Sequence, residues 1–229
     1  MKVNFVRKNI KEQMKKLILA AIVCGMTFTT VAQDANFRLG GTLGLNLTNE
    51  LSKGGGVKIN SKIKPGLRIG VLGEYNFNKW IGVSAELLFS QKGGKMKESF
   101  GGETYQFITR LNYLQIPIHA VGSYQINDDF KVTALLGPAL GFALTGSYIS
   151  KGGGSSTEKE KIKFGNSLND DLRAFDFGLN FGVGAEWKNI FFRLQYEIGL
   201  SNLVKSEGGG YSVRNSCFSI SAGYFFWKK

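Results

Sequence analysis

The stretch FDFGLNFGVGAEW, residues 175–187, decides how this chain is read. Every second residue is apolar: Phe175, Phe177, Leu179, Phe181, Val183, Ala185 and Trp187. Between them stand Asp176, Gly178, Asn180, Gly182, Gly184 and Glu186. A period of two is the signature of a strand. A soluble sheet buries its bulky face in a core and turns a charged face to water. Here half of the opposite face is glycine, and the rest is two acids and an asparagine. The bulky face therefore meets lipid, and the small polar face lines a narrow barrel, where glycine leaves room and tolerates curvature.

Working outward, the same alternation predicts eight strands at 37–47, 64–77, 79–91, 105–124, 130–147, 172–187, 190–203 and 211–227. Their connections alternate in length. The long ones are TNELSKGGGVKINSK (48–62), KGGKMKESFGGET (92–104), residues 148–171 and VKSEGGG (204–210); the short ones are Asn78, QINDD (125–129) and KN (188–189). Tight turns on one side and long loops on the other, with an even strand count, define an all-β, eight-stranded antiparallel up-and-down transmembrane β-barrel. Four hairpins put both termini on the periplasmic side. The long loops are rich in Gly, Ser and Lys and are expected to be mobile.

The tryptophans agree with this threading. Trp80 follows the first short turn, Trp187 precedes the third, and Trp227 ends the last strand, so all three fall at one rim as membrane-interface aromatics. Tyr75, Phe77, Tyr124, Phe130 and Phe191 are expected to join them.

Carrying the alternation round the barrel predicts an interior polar cluster: Arg38, Glu74, Glu86, His119, Glu186, Arg193 and Glu197. Thr42, Asn46, Arg68, Ser84, Tyr113, Gln115, Asp176, Asn180 and Gln195 share that face. Register is open in the fifth strand and at Pro117, where a bulge would flip the faces. Because eight strands enclose a space that side chains just fill, mixed charges there read as a packed, ion-paired plug. The competing reading is a binding or proton-linked site titrating through His119.

The ends concern export. Met14-Lys15-Lys16, the apolar run Leu17–Val31 and Ala32 have the layout of a secretory signal. Residues 1–32 read as an N-terminal extension with a signal peptide cleaved after Ala32, and residues 33–229 as the outer-membrane barrel domain. Met14 is a second candidate start. A membrane anchor would need a longer apolar run. Beyond residue 32, Cys217 is the only cysteine, which leaves no internal disulfide and no C-x-x-C metal or redox pair. The full chain carries a net charge of +12; residues 1–32 hold six basic residues and one acidic, which leaves +7. The lysines lie mainly in the loops, without the clustering among aromatics that nucleic-acid binding requires. Their charge suits anionic lipopolysaccharide headgroups.

No catalytic, cofactor or metal site is expected. The sequence has no G-x-S-x-G, H-E-x-x-H or phosphate-binding loop. His119 is the one histidine and faces the interior, away from substrates arriving at the outer rim. Two alternatives remain: a soluble lipocalin-like barrel around an apolar ligand, which would reverse the two faces, and a barrel enzyme acting on lipid or peptide through His119.

Three segments carry a family resemblance. Glu86–Gly93 (ELLFSQKG), Tyr113–Pro117 (YLQIP) and Tyr196–Leu203 (YEIGLSNL) resemble signatures of the PorT-type outer-membrane β-barrel family. That resemblance spans nearly all of residues 33–229 and implies an outer-membrane barrel in Gram-negative envelopes. The founding member assists a secretion apparatus, so the resemblance implies a structural, adhesive or assembly and secretion-partner role, with an envelope protein as partner. It also implies insertion by the barrel-assembly machinery, which reads a terminal aromatic. Here Phe225-Phe226-Trp227 is followed by Lys228-Lys229, a departure from that pattern.

Overall fold

The computed structural model describes residues 36–54, 57–100, 103–152, 155–165, 170–204 and 210–229. The expected signal segment, residues 1–32, lies outside the described residues. The described part forms eleven strands: β1 (Asn36–Gly54), β2 (Val57–Asn60), β3 (Lys64–Asn76), β4 (Ile81–Lys92), β5 (Lys95–Phe100), β6 (Glu103–Gln125), β7 (Phe130–Gly152), β8 (Ser155–Lys161), β9 (Phe175–Trp187), β10 (Ile190–Gly199) and β11 (Tyr211–Lys228). Eight of them run β6-β4-β3-β1-β11-β10-β9-β7, and β7 pairs back onto β6. Every one of these pairings is antiparallel. The sheet is a closed eight-stranded barrel, so the ring leaves no unpaired strand edge for lipid to meet.

The other three strands correct the loop expectation. β2, β5 and β8 extend the hairpins of β1, β6 and β7 in the stretches read as mobile loops. Those segments are rich in Gly, Lys and Glu, which are poor strand formers by composition. A partner strand already in register satisfies their backbone groups, and the ladder continues into the hairpins.

Two strands are shorter than expected, and the reason is packing. β9 starts at Phe175, not residue 172, and β10 ends at Gly199, not residue 203. Leu172 and Leu203 leave the ladder to bury themselves against Leu111, Tyr113 and Ile162. The faces do not flip at Pro117, which pairs with Ala139 in an unbroken run of register. The irregularity lies between Asn112 and Tyr113, where β7 carries the extra residue Leu144.

The wall follows the alternation. Leu67, Ile69 and Val71 on β3, and Phe192, Leu194, Tyr196 and Ile198 on β10, point outward and are exposed. In β9, Phe175, Phe177, Leu179, Phe181, Val183 and Trp187 are exposed, while Asp176, Asn180 and Glu186 are buried. A soluble protein does not display an apolar surface of this extent. In a bilayer this is the face that the solvent favours.

Candidate functional site

The lumen is the place where functional side chains could converge. It is packed in layers, and each layer follows from strand register. At the end carrying the short turns, Leu72, Phe191 and Phe225 form a buried apolar cluster. Phe191 was expected among the rim aromatics; it instead points inward, 5.0 Å from the Phe225 ring centroid. The cause is parity. Phe191 stands opposite Glu186, which is an inward position. The guanidinium of Arg38 lies 3.8 Å from the Phe225 ring centroid, and that of Arg193 lies 4.6 Å from Phe191. These are cation–π contacts that cover the charged groups above with aromatic faces.

Next comes an ionic chain. Arg38 donates to Glu74 and Glu186. Arg193 donates from Nη2 to Glu74 Oε2 and from Nη1 to Glu86 Oε1, each at 3.1 Å. Arg68 Nη2 donates to Glu86 Oε2 at 2.8 Å. Lys131 Nζ lies 3.2 Å from Glu186 Oε2. Four cations thus interleave with three carboxylates contributed by β1, β3, β4, β7, β9 and β10. Placing unpaired charges out of water is costly, and alternation of sign offsets that cost.

His119 joins this chain from β6. Its Nδ1 is 3.9 Å from Glu86 Oε1, beyond hydrogen-bond distance, and its Nε2 is 3.0 Å from Asn180 Oδ1. Gln195 Nε2 also donates to Asn180 Oδ1, at 3.3 Å. Ser84 stands opposite His119 in the ladder, yet its Oγ makes no hydrogen bond with the imidazole. A Ser-His-Glu set is therefore present in name without the nucleophile–base contact that catalysis needs.

A second ionic group sits nearer the long hairpins. Lys92 donates to Glu197 and lies 3.4 Å from Asp176 Oδ2. Gln115 Nε2 donates to Glu197. Asn215 Nδ2 and Ser201 Oγ donate to Asp176, each at 2.8 Å. This group has one carboxylate too many and the lower chain one cation too many, so the two excesses offset each other. Leu111, Tyr113, Ile162, Leu172 and Leu203 then cap the layer with apolar packing.

All seven residues of the expected interior cluster are buried here, six in the lower chain or touching it and Glu197 in the upper group. Sequence reasoning missed Lys92, Lys131 and Asn215. Lys92 reads as the first residue of a loop in the sequence, although its parity with Ser90 and Glu86 marks an inward position. The glycines of β9 also find their purpose. A Cβ at Gly182 would meet the backbone carbonyl of Leu194 and lie 2.8 Å from Gln195 Cγ. That space is needed for inward side chains of the neighbouring strand.

At the short-turn rim, Trp80, Trp187 and Trp227 are exposed. Trp80 packs on Tyr124 at 5.9 Å and Trp227 on Phe37 at 5.8 Å between centroids. Among the described residues no group of three or more His, Cys, Asp or Glu is placed to hold a metal ion. Cys217 is a buried free thiol. The lumen offers no apolar chamber of the lipocalin kind, because its middle is filled by charged and amide side chains.

A closed antiparallel ring with an apolar outer wall and a polar, filled interior defines a transmembrane β-barrel. The outer membrane protein beta-barrel domain model matches residues 31–205, and the chain belongs to that family. No curated protein sequence matches the chain. Among solved structures, Ail of Yersinia pestis is 17% identical, with 82% of this chain and 99% of that chain covered and a TM-score of 0.36. Neisserial surface protein A is 12% identical over 85% of this chain and 100% of that one, at a TM-score of 0.39. OprG of Pseudomonas aeruginosa is 11% identical over 84% and 95%, at 0.43.

Proposed function

We propose that this protein is a non-conducting, non-catalytic outer-membrane barrel that presents its long hairpins to the cell exterior as an adhesive or assembly surface. The observation that carries the reading is the filled lumen: two ion-paired layers closed by apolar clusters at both ends. Such an interior stabilises a scaffold and leaves no passage for solutes. Binding then falls to segments held at the ends of a rigid frame. In this reading residues 1–32 direct export, both termini are periplasmic, Trp80, Trp187 and Trp227 mark the periplasmic interface, and the barrel-assembly machinery inserts the chain. Lysines of the hairpins, such as Lys97 and Lys159, pair with lipopolysaccharide phosphates. The PorT-type signatures favour an envelope protein of a secretion or assembly pathway as the partner.

The test is fractionation of producing cells, followed by gel mobility of the extracted protein with and without boiling, surface labelling of lysines on intact cells, and conductance in planar bilayers. The expected result is an outer-membrane protein with a heat-dependent shift, labelled hairpin lysines and no steady conductance. Extraction without detergent would overturn the membrane reading. Stable conductance would overturn the closed plug.

A further inference from the structure

One face of the lipid-facing wall is unlike the rest. Most outward positions carry Leu, Ile, Phe or Tyr, but near the short-turn rim the wall sinks where β6, β7 and β9 meet. Its floor is made of Gly122 opposite Ala134, Ala134 opposite Val183, and Val132 opposite Ala185. Large side chains stand on both sides. Trp80 and Tyr124 flank it toward β4, and Phe192 and Leu194 flank it on β10. Together these residues enclose an open groove of about 810 Å³ with an almost wholly apolar lining. At Gly122, a Cβ would meet no atom within 4 Å, so the groove is open space above the backbone and not a tightly packed seam.

The mouth of the groove is amphipathic. The Trp80 and Tyr124 rings lie together at its rim end, and Lys79 Nζ is 5.6 Å from the Trp80 ring centroid. Lys79 makes no ion pair among the described residues, whereas Lys188, the neighbouring rim lysine, lies 3.9 Å from Asp129. An apolar trough thus ends at an indole, a phenol and an uncompensated ammonium. That order matches a lipid: chain, carbonyl and glycerol region, phosphate.

We propose that this groove is a binding site for one glycerophospholipid, with an acyl chain seated over Gly122 and Ala134 and its phosphate against Lys79. The inference rests on the membrane reading given above. A flexible chain fits an irregular depression bounded by bulky rims. A second copy of the barrel would bring a convex wall or an equally concave one, and the latter would leave the trough unfilled. A stably seated lipid would fill the dent and present a smooth apolar surface to the surrounding bilayer.

The experiment uses the detergent-extracted protein and native mass spectrometry with two probes: a phosphatidylglycerol, and a diacylglycerol with the same chains. Gly122→Leu puts a side chain into the trough from a Cβ that meets no atom within 4 Å, Lys79→Gln removes the cation, and Val71→Leu alters the wall elsewhere. Wild type and Val71→Leu should retain one phosphatidylglycerol per barrel. Gly122→Leu should lower retention of both probes about tenfold, the equivalent of roughly two displaced methylenes. Lys79→Gln should lower retention of phosphatidylglycerol alone. Equal retention by wild type and Gly122→Leu overturns the proposal, as does a cross-linked dimer that Gly122→Leu abolishes, because that assigns the face to a second copy. A heat-dependent gel shift, retained in every variant, shows that the barrel reading stands even if the groove proposal falls. Loss of that shift in wild type sinks the membrane reading itself.

Discussion

Lys92 is the most informative residue to remove. Its side chain is 1% exposed, and its ammonium serves two carboxylates, Glu197 and Asp176. Lys92→Met keeps the length of the stem and deletes the charge. Breaking a buried ion pair from one side costs about 3–5 kcal/mol, because a charge is left behind without compensation. Here the lower end applies, about 3 kcal/mol, since Asp176 keeps Asn215 and Ser201, and Glu197 keeps Gln115, as neutral donors. That energy is about a hundredfold in the folding equilibrium. With a urea dependence of roughly 1–3 kcal/mol per molar, the unfolding midpoint should fall by about 1–3 M. The assay is reversible urea unfolding of the barrel in lipid vesicles, followed by tryptophan emission and by the unboiled gel band. The triple variant Lys92→Met, Asp176→Asn, Glu197→Gln should recover most of the loss, because the neutral set needs no counter-charge. A midpoint shift below about 0.3 M in Lys92→Met would refute the reasoning, since it would mean that water already solvates this layer and the lumen is open.

Three further outcomes are expected. Phe181→Arg, on the lipid face midway up β9, should cost about 2–4 kcal/mol in vesicles, and the same unfolding titration measures it; no loss would mean that this face is not in lipid. Gly182→Val should destabilise by about 1–3 kcal/mol through overpacking against the Leu194 carbonyl and Gln195, while Gly122→Ala should leave the midpoint unchanged, and equal effects at both positions would contradict the assigned faces. Tryptophan emission should be quenched more strongly by lipids brominated near the carbonyl than by lipids brominated at the chain terminus, because Trp80, Trp187 and Trp227 share one rim; uniform quenching would place them elsewhere.

The alternation in β9, β10 and β3 already specified which residues face out, because a strand has only two faces and one solvent here is apolar. The even number of strands, the short turns and the inward positions of Arg38, Glu74, Glu86, His119, Glu186, Arg193 and Glu197 were legible for the same local reason. The partners of those residues were not. Arg38 reaches Glu186 across the lumen, 148 positions along the chain, and only closure of the ring brings them together. Lys92 was hidden because a Gly- and Lys-rich stretch reads as loop until a neighbouring strand supplies its hydrogen bonds. Phe191 reads as a rim aromatic from its place beside a short turn, although its parity with Arg193 marks an inward position; its contact with Phe225 on the neighbouring strand is set only by the assembled sheet. The lipid-facing groove is the extreme case. Gly122, Ala134 and Ala185 lie on three strands, each unremarkable alone, and the depression exists only where the ring sets them side by side. Periodicity along one strand is a local property that sequence carries; adjacency between strands is set by closure, and closure belongs to the tertiary structure.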